Sequence, residues 1–283
     1  MKFFHITRED GVKSHSEQSA FFSAACAAKN IEYCRIIDSD LSLSEFNSLE
    51  LAVGDLIYRS STSRKAIALE HSLTIDQART VFYDNHKVLT GRGGSYAIMK
   101  KAGLPVIPAI PFLPHKKRET IEFAENLGGF PIVVKVMGGM EGVGVMRVDS
   151  LESFNSVSDF IRGGNASSVM VMKYIPHKYY ARLVVVGEQV VTASRDMAPL
   201  GDFRANARGP RDEQGTEFIP SADMAQAAVA AVSAMGIKTA GVDLLITNDK
   251  FYIAEANFPY NFAETQRRTG FDIAAAIISE MLQ

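Results

Sequence analysis

The chain has 283 residues, 47% of them hydrophobic and 22% charged, with a formal net charge of −2. That length supports two or three compact modules, and the near-neutral balance without a dense basic run argues against a nucleic-acid binder. No apolar run approaches membrane-spanning length, and the two cysteines, Cys26 and Cys34, exclude a disulfide framework and a zinc site built from thiolates.

The opening MKFFHITRED lacks the apolar core of a secretion signal, so a cytoplasmic protein with free thiols is expected. KFFHIT (2–7) predicts a strand, HSEQSAFFSAACAAKN (15–30) a helix, EYCRIID (32–38) a second strand and DLIYRS (55–60) a third. This alternation is that of an open α/β layer over roughly the first 90 residues. Only Gly11 follows the first strand, so the glycine fingerprint of a dinucleotide-binding fold is missing. YAIMKKAG (96–103) predicts a helix closed by Gly103, and Pro105, Pro108, Pro111 and Pro114 then mark a stiff connection and a domain boundary.

Beyond it, KKRETIEFAENL (116–127) predicts a helix and FPIVVKV (130–136) a strand. DSLESFNSVSDFIR (149–162) predicts a helix capped by Asp149, and SVMVMKYI (168–175) a strand. ARLVVV and QVVTASR flank Gly187 and Glu188 as a tight hairpin. A helix over 221–235, strands over 241–247 and 251–257, and a helix over 272–282 complete the pattern.

FYIAEAN (251–257) is a strand with polar residues at its end. Counting in twos places Phe251, Ile253, Glu255 and Asn257 on one face and Tyr252, Ala254 and Ala256 on the other. With GVDLLIT it predicts a hairpin around Asn248 and Asp249. A two-residue loop pairs Thr247 with Lys250 and leaves Asp243 opposite in facing to Glu255. A three-residue loop pairs Thr247 with Phe251 and Asp243 with Glu255. In that second register Asp243, Glu255 and Asn257 converge and offer only oxygen ligands, which suits Mg²⁺. A plainer reading carries equal weight: Glu255 pairs with an arginine and Asn257 caps a turn.

VVKVMGGMEGVGVMRV (133–148) puts Lys135 inside an apolar strand, where an unpaired ammonium is costly to bury. Gly138, Gly139, Gly142 and Gly144 follow. Glycines let backbone N–H groups approach an anion, and the strand lysine adds positive charge. The plainer alternative is a hairpin loop with Lys135 reaching solvent. GDFRANARGP (201–210) carries Arg204 beside Asn206 and Arg208, and guanidinium forks match phosphate oxygens, although a solvated loop is the commoner outcome for such a stretch.

The strand lysine and glycine-rich loop, then GDFRAN, then AGVDLL and AEAN, resemble in this order the ATP-grasp superfamily. Within it the likeness is to the group of ribosomal-protein S6 glutamate ligase (RimK) and the lysine-biosynthesis LysX enzymes. RRTGFDIAAAII (267–278) is similar to that group's last helix. The resemblance implies an α/β (α+β) fold with an N-terminal open α/β domain over 1–92. A central subdomain over 93–175 and a C-terminal subdomain with the metal site over 176–283 would enclose the nucleotide.

The activity it implies is ATP-dependent carboxylate–amine ligation through an acylphosphate, with amino acids or peptides as acid and amine. Lys135 would contact ATP phosphates under a flap over 138–145, with Lys173 and Tyr174 along the adenine. Arg204 and Asn206 would face the phosphates, Arg204 and Lys135 being the catalytic pair. Lys87, or Arg92 in its place, would be the first domain's phosphate contact. Asp243, Glu255 and Asn257 would hold two Mg²⁺ ions, with Mn²⁺ as an alternative, in a dimer or tetramer.

Several positions depart from the group's pattern. Lys173 stands where a glutamate is common, Tyr180 stands where an acidic residue meets the ribose, about three extra residues separate Lys87 from the following proline, and Phe258 and Tyr260 flank Pro259 where a small residue and Gly are usual. These departures support a second reading, a non-catalytic nucleotide-binding regulatory relative. Retention of three metal ligands speaks against it.

Overall fold

The structure is a computed structural model and describes residues 1–8, 13–74, 78–80, 91–136, 142–164, 168–198, 201–204 and 216–283. β1 (Lys2–Thr7), α1 (Lys13–Ala28), β2 (Glu32–Ile37), α2 (Leu43–Asn47), β3 (Asp55–Arg59), α3 (Arg64–Thr74) and the two-residue β4 (Ala78–Arg79) build a parallel sheet in the order β2-β1-β3-β4. Phe3, Phe4, Ile6, Leu56, Ile57 and Tyr58 are all buried, as in a parallel sheet covered on both faces. α2 begins at a capping box: the Ser42 hydroxyl accepts from Glu45 N, and the Glu45 carboxylate accepts from Ser42 N. α3 buries Glu70, which holds Arg59 of β3 at 2.6 Å.

α4 (Gly91–Lys101) starts earlier than the sequence pattern and closes at Gly103, whose φ of +74° is open to glycine without strain. β5 (Ala109–Ile110), a 3₁₀ turn over 117–119, α5 (Thr120–Asn126), β6 (Ile132–Val136), β7 (Val145–Val148), α6 (Leu151–Gly163) and β8 (Val169–Lys173) follow. Their sheet runs β5-β8-β6-β7. α6 is capped by Ser150 rather than Asp149: the Ser150 hydroxyl accepts from Ser153 N, while Asp149 pairs with Arg147. Strand alternation gives this sheet two apolar faces. Ile132, Val134, Val169 and Val171 pack with Phe154 on one, and Val133, Met170 and Met172 belong to the other.

β9 (Tyr179–Val186), β10 (Gln189–Met197), β11 (Thr216–Glu217), α7 (Ala222–Ala234), β12 (Thr239–Ile246), β13 (Phe251–Asn257), α8 (Ala263–Thr269) and α9 (Ile273–Met281) form the remainder. The sheet order is β11-β10-β9-β12-β13. β9 and β10 turn at Gly187, with φ +61°, as the hairpin pattern predicts. α7 covers one face through Ala228, Ala231 and Val232 over Leu183, Val185, Val242 and Leu244.

The opposite face of this sheet meets two neighbours. Val184 and Val186 share a core with Phe3, Phe22 and Tyr58 of the first module and with Ile273 and Ile277 of α9. Leu245, Tyr252 and Ala254 pack against Met170 and Met172 of the central sheet. The segment after α4 runs beside β13, with Ile253 N donating to Pro105 O at 2.8 Å. Two sheets therefore face one another over an apolar floor.

Candidate functional site

The β12–β13 hairpin combines both anticipated registers. At its turn Thr247 N donates to Lys250 O at 2.8 Å, and Ile246 pairs with Phe251, which is the two-residue loop. Between Asp243 and Leu244 the register shifts, because β13 carries one extra residue, Ala254. This β-bulge restores the pairing of Asp243 with Glu255. It also corrects the face assignment made by counting in twos. Ile253 and Ala256 both pack into the cluster beneath α7, whereas Tyr252 and Ala254 face the central sheet. Glu255 and Asn257 do not share a face with Ile253, because the bulge changes the phase of the strand.

Past the apolar floor the facing sheets become polar. Lys135 of β6 reaches across to Glu255 of β13, Nζ to Oε2 at 2.6 Å, with side chains 20% and 17% exposed. Asn257 Nδ2 donates to Asp243 Oδ2 at 3.0 Å and to Glu255 Oε1 at 3.1 Å. Arg182 of β9 clamps Asp243 from the other side, Nε to Oδ1 at 2.7 Å and Nη2 to Oδ2 at 2.8 Å. The result is a row of polar groups, Arg182, Asp243, Asn257, Glu255 and Lys135, with a cation at each end and the neutral Asn257 between the two carboxylates. The strand pairing explains it, since Asp243 lies opposite Arg182 on one side and Glu255 on the other.

Arg182 is the residue that sequence reading missed. Burial is the strongest single influence and works against its charge, but Asp243, Tyr180 and Glu255 together outweigh it and hold the guanidinium protonated more firmly than usual. Tyr180, also buried, accepts from Arg182 Nη2 at 3.5 Å; burial first, and Asp243 second, push its phenol well above the ordinary value.

The donor set fits a hard divalent cation. Asn257 Nδ2 marks a point about 3 Å from carboxylate oxygens of two strands, and a half-turn of the amide presents Oδ1 there instead. Oxygen donors in small number are what Mg²⁺ accepts while keeping water in its shell. Among the described residues no group of three or more His, Cys, Asp or Glu is placed to hold a metal, so the set is two carboxylates and a carboxamide.

The other expected residues are distributed as follows. Gly142 and Gly144 form the base of the glycine-rich loop with φ +76° and +82°, and Gly144 O accepts from Val136 N at 2.8 Å. A Cβ on Gly144 would press on Val136 at 3.3 Å. Tyr174 stacks beneath Arg147, 4.6 Å from guanidinium carbon to ring centre, and meets Phe203 edge-on at 6.4 Å. The residue that follows β8 and the GDF segment thus come together. Lys173 is exposed, with its ammonium beside Gly128. Arg204 is drawn onto Asp202, Nη2 to Oδ2 at 2.8 Å. Lys87, Gly138, Gly139 and Asn206, and the side chain of Arg92, lie outside the described residues.

Of the departures after Asn257, Phe258 packs partly buried against the core and Tyr260 belongs to it. Tyr260 is buried, its hydroxyl bonded to the Thr239 hydroxyl at 3.0 Å and its carbonyl accepting from Gln18 Nε2 at 3.2 Å. Its ring lies against Gly241, where a Cβ would come within 3.2 Å. Arg268 of α8 grips Asp196 of β10 at 2.8 and 3.0 Å and Glu264 at 2.6 Å, fixing α8 over the sheet.

Two facing sheets with a strand lysine on one and a carboxylate–carboxamide set on the other are the arrangement of an ATP-grasp protein. Solved structures agree on the fold. D-cycloserine synthetase DcsG superposes with a TM-score of 0.77 at 15% identity, covering 99% of this chain and 98% of that one. The ATP-grasp ligase PsnB, complexed with precursor peptide PsnA2 and AMPPNP, gives 0.70 at 15% identity, with 99% and 98% covered. A RimK domain ATP-grasp protein from Sphaerobacter thermophilus gives 0.68 at 19% identity, with both chains fully covered.

The chain belongs to the RimK-like ATP-grasp domain family, which matches residues 93–281. It is similar to a probable alpha-L-glutamate ligase of Picosynechococcus sp., 32% identical over 181 residues, 63% of this chain and 58% of that protein. It is likewise similar to the ribosomal protein bS6–L-glutamate ligase of Escherichia coli O81, 32% identical over 168 residues, 59% and 55% of the two chains. The chain spans little more than half the length of the curated relatives it matches. No helix among the described residues is long and apolar enough to cross a membrane.

Proposed function

We propose that the protein is an ATP-dependent carboxylate–amine ligase working in the cytoplasm on an amino acid or peptide. The observation that carries this reading is the charge row itself. A family member that only bound nucleotide would not need two metals, whereas Asp243, Glu255 and Asn257 gathered across from Lys135 support a site that holds them. In this reading a substrate carboxylate oxygen attacks the γ-phosphorus of ATP, the bond to the bridging oxygen breaks, and ADP leaves. The amine then attacks the acylphosphate carbonyl, releases phosphate and gives up its proton.

Lys135 holds the upstream phosphates in this reading, and backbone N–H groups of a glycine-rich loop are suited to the same anion. Arg204 exchanges Asp202 for the transferring phosphoryl group, which a guanidinium fork suits. Tyr174 and Arg147 supply flat surfaces toward the adenine side. Asp243, Glu255 and Asn257 would hold Mg²⁺, two ions in this reading, and the metal would supply neutralisation of phosphate charge. The division into 1–92, 93–175 and 176–283, and a dimer or tetramer, belong to the same proposal.

The test is chromatography of nucleotide products with pairs of amino acids and short peptides in the presence of Mg²⁺. ADP formation stimulated by acid and amine together, a hydroxamate when hydroxylamine is added, and loss of both in Lys135→Ala are expected. AMP as the main product overturns the mechanism.

A further inference from the structure

Lys135 and Glu255 belong to different sheets and are 120 residues apart in sequence, yet their charged atoms stand 2.6 Å apart. The pair sits at the rim of the apolar layer made by Val133, Met170, Met172, Tyr252 and Ala254. An ammonium or a carboxylate left alone at such a rim loses its partner without regaining full hydration, which is costly. Glu255 divides its two oxygens, Oε1 accepting from Asn257 and Oε2 from Lys135. Any cation that takes this carboxylate must therefore compete with the ammonium of Lys135. Any anion that takes Lys135 must compete with Glu255.

We propose that this ion pair is an exchangeable lock that makes divalent cation and nucleotide enter as a coupled pair. The proposal rests on the reading of the site as a nucleotide–metal site and adds how the chain controls it. When a cation alone arrives, Lys135 loses the Glu255 carboxylate; when a phosphate alone arrives, Glu255 keeps Asn257 but loses the Lys135 ammonium. When both arrive, the two bound charges change partners, the carboxylate going to the cation and the ammonium to the phosphates. Neither is then left bare. Each ligand removes the penalty the other faces, so each tightens the other by the same factor, as linkage requires.

The lock has a crossed signature, in which removing one partner helps the ligand of the other. Isothermal titration of the intact chain is made with Mn²⁺ alone, with AMPPNP in EDTA, and with the two together. In the parent each alone binds weakly and each tightens the other by about tenfold or more, within the usual range of coupling between sites. Lys135→Met is expected to bind Mn²⁺ alone about tenfold more tightly than the parent, and Glu255→Gln to bind metal-free AMPPNP more tightly by a similar factor. Circular dichroism checks that both variants are folded, and Lys135→Gln replaces Lys135→Met should the latter unfold.

Unchanged or weaker Mn²⁺ binding in the lysine variant overturns the lock, as does unchanged or weaker metal-free AMPPNP binding in Glu255→Gln. A parent that binds Mn²⁺ and AMPPNP together while the variants show no gain removes the lock and leaves the ligase reading standing. A parent that binds neither, alone or together, removes both.

Discussion

Replacing Arg182 by methionine tests the electrostatic frame of the site. Asp243 has a side chain 1% exposed and accepts from both Nε and Nη2 of Arg182 as well as from Asn257. Methionine keeps the aliphatic volume and removes the charge, leaving a buried carboxylate that still accepts from Asn257 but has lost its cationic partner. Breaking a buried pair in this one-sided way costs about 3–5 kcal/mol. Because Arg182 is itself 24% exposed, the lower end, about 3 kcal/mol, is expected. That is a large share of the 5–15 kcal/mol typical of a folded domain.

Removing the charge at the other end as well should recover most of the loss. Arg182→Met with Asp243→Asn is therefore expected to be more stable than Arg182→Met alone, with a coupling of about 1–3 kcal/mol between the sites. The chain has no tryptophan, so urea unfolding is followed by far-ultraviolet circular dichroism on the parent, both single variants and the double variant. If Arg182→Met unfolds within about 0.5 kcal/mol of the parent, or the two changes add without coupling, the pair does not support the site and the reasoning fails.

A pH dependence follows from His5, which is buried and bonded to Tyr33 and Ser60; burial, with Arg35 and His15 acting the same way, lowers its pKa to about 3. Its unfolded value is near 6.5, so its contribution is constant above that pH and is lost as pH falls, by about 2–3 kcal/mol at pH 4.5. His5→Gln should lose this part of the acid slope in urea titrations at pH 7 and 4.5, and an identical slope in both proteins would refute it. Gly241→Ala should drive a methyl into the Tyr260 ring, 3.2 Å away, and cost about 1–3 kcal/mol by thermal or urea unfolding. Parental stability in that variant would mean that Tyr260 moves freely aside.

The regular elements of the site were legible because their patterns are local. β6 with Lys135, the β9–β10 turn at Gly187 and the β12–β13 pairing follow from alternation and turn residues. The bulge at Ala254 was not legible, because an extra residue in a strand looks like any other until its partner is known. Counting in twos therefore put Ile253 on the wrong face relative to Glu255. Arg182 was hidden for a related reason. It lies in the apolar run ARLVVV, and only the lateral pairing of β9 with β12 shows that it faces Asp243. α3 and α8 escaped because their faces are partly polar: Glu70 is buried against Arg59, and Arg268 against Asp196 and Glu264. β5 and β11 are two residues each, too short for any period to show.

The core shared by Phe3, Phe22, Cys26 and Tyr58 with Ile273, Ile277, Ile278 and Met281 bears on how the chain is made. Arg79 also reaches the carbonyl of Leu282. On the ribosome β1 to β3 emerge long before α9, so the face of α1 that α9 covers stays open while the intervening two hundred or so residues are added. At about 5–20 residues per second, that interval is roughly 10–40 s. Throughout it the nascent chain displays an apolar surface whose natural cover has not yet been translated, which makes the early module a client for a holding chaperone. A stop codon just ahead of α9 would make that exposure permanent.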